Sequence, residues 1–242
     1  MAIEVFNRYE HKYMLDKSTF EKVVSVIQDK MEYDKHNKNG AAYTISNIYY
    51  DTADDYLIRT SLSKPAYKEK LRLRSYGVPD MDSEVFLEIK KKYRGIVNKR
   101  RTTLRLGEAY DFVQNGAVGE YHDYMNTQVV HELEYFLKVH NVQPKLYLAY
   151  DRIAFFDKHD KDLRISFDTN IRSRRYDLRL EHGSSGEQLL DKDLYLMEVK
   201  TSKAKPLWLC HLLTDLHVYR TSFSKYGTEY KQREYEVMKK AI

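Results

Sequence analysis

KLRLRSYG, residues 70–77, sets Lys70, Arg72, Arg74 and Tyr76 on one parity and Leu71 and Leu73 on the other. Successive residues of a strand point to opposite faces, so as a strand this segment shows cations on one face and apolar side chains on the other. The same separation recurs along the chain. DLRISFDTNIR (162–172) places Leu163, Ile165, Phe167 and Ile171 opposite Arg164, Ser166, Asp168, Asn170 and Arg172. Arg8, Glu10 and Lys12 align near the N-terminus, and Glu84, Glu88, Lys90 and Lys92 align in EVFLEIKKKY. Glu198 and Lys200 align in LYLMEVK, and Tyr150 and Arg152 share a parity in LYLAYDRIAFF. At least six strands therefore gather ionic groups on a single face.

One solvated face is ordinary for an antiparallel sheet. Here, however, the polar faces use Arg, Lys and Glu more than Thr, Ser and Gln. The chain also contains amphipathic segments that need an apolar surface to pack on. Asp16 or Ser18 offers an N-cap for a helix through about Lys30, with Phe20, Val23, Val24 and Ile27 on one face. Further helices are expected near 107–115, 121–140, 205–218 and 224–239, and Arg94–Gly95 reads as a hairpin turn. If helices cover the apolar faces, the ionic faces turn toward one another. About eight antiparallel strands closed in this way form an α+β barrel whose interior holds side chains or one ligand. Unpaired buried ions are costly, so an interior of Arg and Lys needs a counter-charge. Interior Glu neutralises part of it, and a polyphosphate with a divalent metal would neutralise the rest.

Composition narrows the classes. The 242 residues are 42% hydrophobic with only 9 Gly and 4 Pro, which fits a single domain spanning 1–242 rather than a disordered chain. The net charge of +5 conceals 41 Lys and Arg against 36 Asp and Glu, so arrangement matters more than sum. A basic balance favours anionic partners without choosing among nucleic acid, phosphate ligands and membrane surfaces. Nucleic acid ranks last, because no recognition-helix, RNP-type or zinc motif is present. Lone Cys210 has no internal partner, and the nine His show no metal-type spacing. The N-terminus is charged from residue 4, and the apolar run PLWLCHLLTDLHV is broken by His211 and Asp215. A soluble, cytoplasmic protein that is not itself a membrane protein is expected.

Seven segments, RYEHKY (8–13), KLRLRSYG (70–77), VFLEIKKKYRGIVNKRR (85–101), YDRIAFF (150–156), LRISFDT (163–169), YLMEVK (195–200) and FSKY (223–226), together resemble the catalytic domain of the vacuolar transporter chaperone (VTC) family. That family belongs to the triphosphate tunnel metalloenzymes, related to CYTH phosphatases and RNA triphosphatases. The resemblance implies an eight-stranded antiparallel β-barrel tunnel with helices packed outside and a C-terminal helix near one tunnel end. Carried over by position, Lys12, Arg72, Arg74, Lys90, Lys99, Arg152, Arg164 and Lys200 correspond to a phosphate-binding set supported by Tyr150. Lys12, Arg72, Arg74, Arg152 and Arg164 are placed among the catalytic groups, as is Lys225 on the terminal helix. Glu198 and Glu10 correspond to ligands of a divalent metal, Mn²⁺ or Mg²⁺. Arg8 stands where the wider superfamily has the first glutamate of a Glu-x-Glu-x-Lys motif. Ser222 stands where polymerases of the family have a further lysine.

The resemblance implies transfer of the ATP γ-phosphoryl group onto a growing polyphosphate chain, beside a membrane partner. Phosphoryl transfer asks the protein for charge stabilisation and in-line positioning more than for a nucleophile. Hydrolysis of tripolyphosphate or a nucleoside triphosphate on the same tunnel is the alternative within enzymes. A non-catalytic polyphosphate-binding module is the alternative outside them. At residue level, Glu88 and Lys90 could simply pair on one face, Tyr150 could be sheet packing, and of Lys99, Arg100 and Arg101 at least one should face solvent.

Overall fold

The structure, a computed structural model, describes residues 9–94 and 96–240. Its elements run β1 (Tyr9–Asp16), α1 (Lys17–Lys30), β2 (Met31–Tyr33), β3 (Tyr43–Thr52), α2 (Tyr56–Leu62), β4 (Tyr67–Tyr76), β5 (Glu84–Tyr93) and β6 (Ile96–Arg105). They continue with α3 (Leu106–Asn115), α4 (Thr127–Val139), β7 (Val142–Asp157), β8 (Arg164–Arg174), β9 (Glu187–Gln188), β10 (Leu194–Thr201), α5 (Leu207–Asp215), β11 (Arg220–Thr221) and α6 (Lys225–Lys240). Arg8 and Gly95 lie outside the described residues.

Three strands are two- or three-residue additions: β2 on β7, β9 on β8 and β11 on β1. The eight long ones pair in the order β1-β10-β8-β7-β3-β4-β5-β6, every pair antiparallel. This is the expected eight-stranded α+β arrangement. Among the described residues the hydrogen-bonded path stays open between β6 and β1. Side chains bridge that seam, with the Lys90 ammonium on β5 lying 3.9 Å from Glu10 on β1.

The outward parities carry the cores. Leu71 and Leu73 of the opening motif, with Val85, Leu87 and Ile89, pack beneath Phe112 of α3 and Val129, Leu133 and Phe136 of α4. Complete burial of such a side chain contributes about 1.5–3 kcal/mol relative to exposure. A second cluster joins Val23 and Ile27 of α1 and Leu209 and Leu213 of α5 to Ile165, Phe167, Met197 and Val199. A third closes one end of the barrel. There Ile58 of α2 and Tyr226 and Tyr230 of α6 meet Leu146, Leu148 and Leu196, which share the parity of the ionic residues.

Helix limits follow local chemistry. Asp16 ends β1 and caps α1, its carboxylate accepting from the Thr19 amide at 2.7 Å. The helix expected over 121–140 covers only Thr127–Val139, because Asn126 is the N-cap and accepts from the Val129 amide. The helix expected over 205–218 is likewise shorter, starting after Pro206 and giving way to His217 at φ +53°. Gly116, at φ +77°, ends α3 in the left-handed conformation that glycine adopts without a Cβ penalty. No helix among the described residues is long and apolar enough to cross a membrane.

Candidate functional site

Register fixes which residues meet inside. Asn47↔Arg74 and Tyr49↔Arg72 pair β3 with β4, Arg72↔Glu88 and Lys70↔Lys90 pair β4 with β5, and Lys90↔Lys99 and Glu88↔Arg101 pair β5 with β6. Around the other side, Lys12↔Glu198 and Glu10↔Lys200 join β1 to β10, Glu198↔Ser166 and Lys200↔Arg164 join β10 to β8, and Arg152↔Asp168 joins β7 to β8. Residues from all eight long strands thus line one lumen.

Two buried carboxylates organise it. Glu88, 1% exposed, takes the Arg72 guanidinium at 2.7 Å, the Lys99 ammonium at 2.6 Å and the Arg74 Nε at 3.9 Å. Burial alone would push its carboxyl up, but Arg74, Arg72 and Lys99 outweigh that and hold it well below the usual range. Asp168, 0% exposed, accepts two hydrogen bonds from Arg152 at 2.6 and 2.8 Å and one from Lys225 at 2.5 Å. Between these centres, Tyr150 accepts from Arg74 Nη2 at 3.1 Å, Asn47 accepts from Arg74 Nε at 3.0 Å and Tyr49 accepts from Arg72 at 3.3 Å. Lys225 also lies over the Tyr150 ring, 4.3 Å from its centroid.

A third centre holds Glu198 and Glu10. The Lys12 ammonium is 3.4 Å from Glu198 and 3.5 Å from Glu10, while Lys200 is 2.9 Å from Glu198 and 3.8 Å from Glu10. Glu198 is desolvated, yet Lys200, Lys12, Lys225 and Arg152 keep it ionised far below the ordinary carboxylate range. Glu10 is held down in the same manner by Lys200, Lys90 and Lys12, against its burial and the charge of Glu198. Lys12 also donates to the Phe223 carbonyl at 2.9 Å, just before α6, which ties this centre to the helix that closes the barrel end. The α6 N-terminus is capped by Ser224, whose hydroxyl accepts from the Gly227 amide at 3.2 Å.

Of the residues singled out in the sequence, Glu10, Lys12, Arg72, Arg74, Lys90, Lys99, Tyr150, Arg152, Glu198, Lys200 and Lys225 all come together in this lumen. Arg164 does not join them directly. It sits at the mouth away from α6, paired with Asp34 at 2.9 Å and over the Phe156 ring at 5.0 Å. That mouth opens into a cavity of about 760 Å³ lined also by Tyr76, Phe86 and Arg101. Glu88 does not pair with Lys90 as its same-face position suggests. The antiparallel register sets Arg72 directly across from it, and Lys90 turns to Glu10 instead. In the run 99–101, Arg100 takes the outer face and lies 3.4 Å from Glu132 of α4, while Arg101 covers the Phe86 ring at 4.4 Å.

Sequence reasoning passed over Asp168, Glu88, Asn47 and Tyr49. Parity signalled the first two, since both lie on ionic faces. Their depth became visible only with the register. Asn47 and Tyr49 lie in YTISNIYYD, where polar and apolar residues do not alternate cleanly because both faces of β3 are buried.

A divalent cation fits this donor set in one way. Among the described residues no group of three or more His, Cys, Asp and Glu side chains forms a closed cage. Glu10 and Glu198 are two ionised carboxylates converging on the same two ammoniums. Mg²⁺-like ions are ordinarily held by one or two carboxylates, with phosphate oxygens and water completing the shell. The pair suits an ion that arrives with a phosphate ligand.

An antiparallel sheet curled around an ionic lumen, with its helices outside, defines a tunnel-like α+β protein. The chain belongs to the VTC domain family, whose sequence model matches residues 7–233. Solved structures of similar fold include a candidate adenylate cyclase from Bacillus halodurans, 14% identical, with a TM-score of 0.54 over 90% of this chain and 96% of that one. Another is a candidate adenylyl cyclase from Hippeastrum, described as having a dominant triphosphatase activity. It is 14% identical, with a TM-score of 0.53 over 92% of this chain and 95% of its own. A third, a candidate adenylate cyclase from Vibrio parahaemolyticus, is 14% identical, with a TM-score of 0.50 over 92% and 97% of the two chains. No curated protein sequence matches the chain.

Proposed function

We propose that this protein is a metal-dependent phosphotransferase that moves the γ-phosphoryl group of ATP onto an inorganic polyphosphate chain inside the tunnel. One observation carries the proposal: cations from six strands and α6 converge on a lumen whose own carboxylates, Glu88, Asp168, Glu198 and Glu10, offset only part of their charge. The remainder suits a ligand with several closely spaced negative charges, which a singly charged or apolar substrate would leave unmatched.

The roles follow from chemistry and place. Arg72 and Arg74 present planar guanidinium groups already aimed by Glu88, Asn47 and Tyr49, an arrangement suited to phosphate oxygens. Arg152 and Lys225, oriented by Asp168, face the same space from the α6 side. Lys12, Lys90, Lys99 and Lys200 supply point charges along the seam, and Arg164 receives the ligand at the far mouth. Such groups, fixed before the ligand arrives, stabilise charge spread over the transferring phosphoryl oxygens without reorganising. Glu198 with Glu10 would hold Mn²⁺ or Mg²⁺, which when bound neutralises phosphate charge. No Ser, Cys or His nucleophile is needed. The protein would bind triphosphate and polyphosphate, not nucleic acid, in a cytoplasmic setting that a membrane partner could adjoin.

Hydrolysis is the second reading. It draws on Ser222, where polymerases of the family carry a lysine, and on the triphosphatase activity described for the Hippeastrum protein of similar fold. The test is incubation of the purified protein with ATP and Mn²⁺, with products resolved on a polyacrylamide gel. A ladder of polyphosphate that disappears in Glu198→Gln is the expected outcome. Orthophosphate as the sole product would replace transfer by hydrolysis, and binding without turnover would reduce the protein to a polyphosphate-binding module.

A further inference from the structure

The lysines of β4 and β5 continue past the residues placed in the site. Lys70 lies directly across from Lys90, and Lys68 directly across from Lys92, on the inward parity of the two strands. Lys90 in turn faces Lys99 on β6. Like charges set opposite one another in an antiparallel pair destabilise it. Two such pairs in succession are therefore an arrangement that folding alone disfavours.

Their surroundings do little to offset it. Among the described residues, no carboxylate pairs with Lys68, Lys70 or Lys92. The Lys68 ammonium donates to the Ser61 carbonyl at 3.0 Å, and Lys70 reaches the Ser224 hydroxyl at 3.4 Å. All four side chains are partly buried rather than splayed into solvent. Burial, with Lys90, Lys68 and Lys12 nearby, pushes Lys70 down to about 8. Lys68 is lowered by burial and by Lys92 and Lys64.

The other mouth is different. There Lys161 is paired with Glu32 at 2.7 Å and Arg164 with Asp34 at 2.9 Å. Carboxylates of Glu32, Asp34 and Glu84 line this mouth beside its cations, Arg101 lies over the Phe86 ring, and Tyr33, Tyr76 and Phe156 add aromatic surface. The two ends of the lumen are thus unequal. Lys90 and Lys99, the most exposed of the lumen cations at 40% and 38%, still have Glu10 and Glu88 as partners, so the lysines without a carboxylate are those further along β4 and β5.

We propose that Lys70, Lys68 and Lys92, continuing outward from Lys90, form a second binding segment, outside the tunnel centre, for the part of an inorganic polyphosphate chain that extends beyond the phosphates held by Arg72, Arg74 and Arg152. The proposal rests on the tunnel being a triphosphate site and adds where a longer chain runs: out along the β4–β5 ladder beside the start of α6, not through the aromatic mouth. A chain laid between the facing ammoniums relieves both like-charge pairs at once.

The test compares tripolyphosphate with polyphosphate of about 25 phosphates by calorimetry over a salt series. It uses the intact wild-type protein, the Lys68→Gln/Lys92→Gln double variant and Lys92→Arg. Wild type is expected to bind the long chain at least about tenfold more tightly. In the double variant that gain is lost, tripolyphosphate affinity is unchanged, and the slope of log K against log salt falls by about 1.4, two contacts at about 0.7 each for a single-stranded polyanion. Lys92→Arg keeps the gain. The double variant's melting temperature holds or rises, since one of the two facing like-charge pairs is gone. Equal affinity for the two ligands, or a gain that survives in the double variant, overturns the ladder and leaves the tunnel reading standing. Failure of wild type to bind tripolyphosphate overturns the tunnel reading and the ladder with it. An oligouridylate of equal charge showing the same gain and the same lysine dependence would make this a general polyanion face and overturn the assignment to polyphosphate.

Discussion

Lys225, the first residue of the terminal helix, reaches 2.5 Å from Asp168 in the middle of β8, 57 positions earlier in the chain. The contact fixes the start of α6 at the end of the lumen and shares one carboxylate between that helix and Arg152 of β7. It makes Asp168 both a structural joint and the group that aims two cations.

Asp168→Asn should therefore cost more than an ordinary polar substitution. It leaves Arg152 and Lys225 buried without their anion, a change that typically costs about 3–5 kcal/mol. A fall in melting temperature of about 10 °C is expected for a chain of this size. Thermal denaturation with and without tripolyphosphate checks it. A melting temperature within a degree of wild type would show that neither cation depends on Asp168.

Glu88 offers a separation of folding from binding. In the unliganded protein it neutralises Arg72 and Lys99 and approaches Arg74. Glu88→Gln removes that charge, so the free protein should lose about 3 kcal/mol. A triphosphate brings its own anions to the same cations. The ligand-induced rise in melting temperature should then be larger in Glu88→Gln than in wild type, following the affinity through the binding linkage. Equal rises in the two proteins would count against these cations meeting the ligand.

The outline of the fold and of the candidate site was legible because strands of strict parity encode burial twice. In LRISFDT the apolar residues marked the helix-covered face, and the same residues by exclusion marked Arg164, Ser166 and Asp168 as inward. What stayed hidden was which inward residues meet. Asp168 and Glu88 look like any other acid in a charged strand until the register sets Arg152 and Arg72 beside them. Arg164 shows the converse: its parity is inward, but it lies toward the end of β8 away from α6, where Asp34 claims it. The short strands β2, β9 and β11 carry too few residues for periodicity to show, and the cap at Asn126 shortened α4 through a single side chain.

Proton linkage gives a third prediction. Burial, with Arg74 and Arg72 close by, pushes Lys99 down to about 7 even though Glu88 pulls the other way. Its ordinary value is about 10.4. A bound polyanion favours the ammonium, so at pH 8 triphosphate binding should take up protons, and affinity should weaken as pH rises from 6.5 to 8.5. The stability of the free protein runs the other way. The unfolded chain holds this proton more tightly, so the penalty from Lys99 is complete below about pH 7 and is relieved as pH climbs toward 10. Calorimetry in buffers of different ionisation enthalpy measures the uptake. Lys99→Arg, which stays charged, should remove the Lys99 part of it, and identical uptake in both proteins would exclude Lys99 as its source.

A fourth prediction is that Ser222 influences the balance between the proposed transfer and hydrolysis. It is exposed, three residues before Lys225 and adjacent to Phe223, whose carbonyl receives the Lys12 ammonium. A cation added there would lie at the α6 end of the lumen without displacing any packed side chain. If an incoming polyphosphate chain is held at that end, Ser222→Lys gives its terminal phosphate another positive contact. Longer residence of the acceptor favours attack by phosphate over attack by water, because the two compete for the same bound triphosphate. Ser222→Lys should therefore raise the ratio of polyphosphate to orthophosphate formed from ATP and Mn²⁺ several-fold, with an unchanged melting temperature. Product analysis on a gel with a parallel phosphate assay gives the ratio. An unchanged ratio alongside normal ATP turnover would place the acceptor elsewhere and remove Ser222 as the position that limits chain growth.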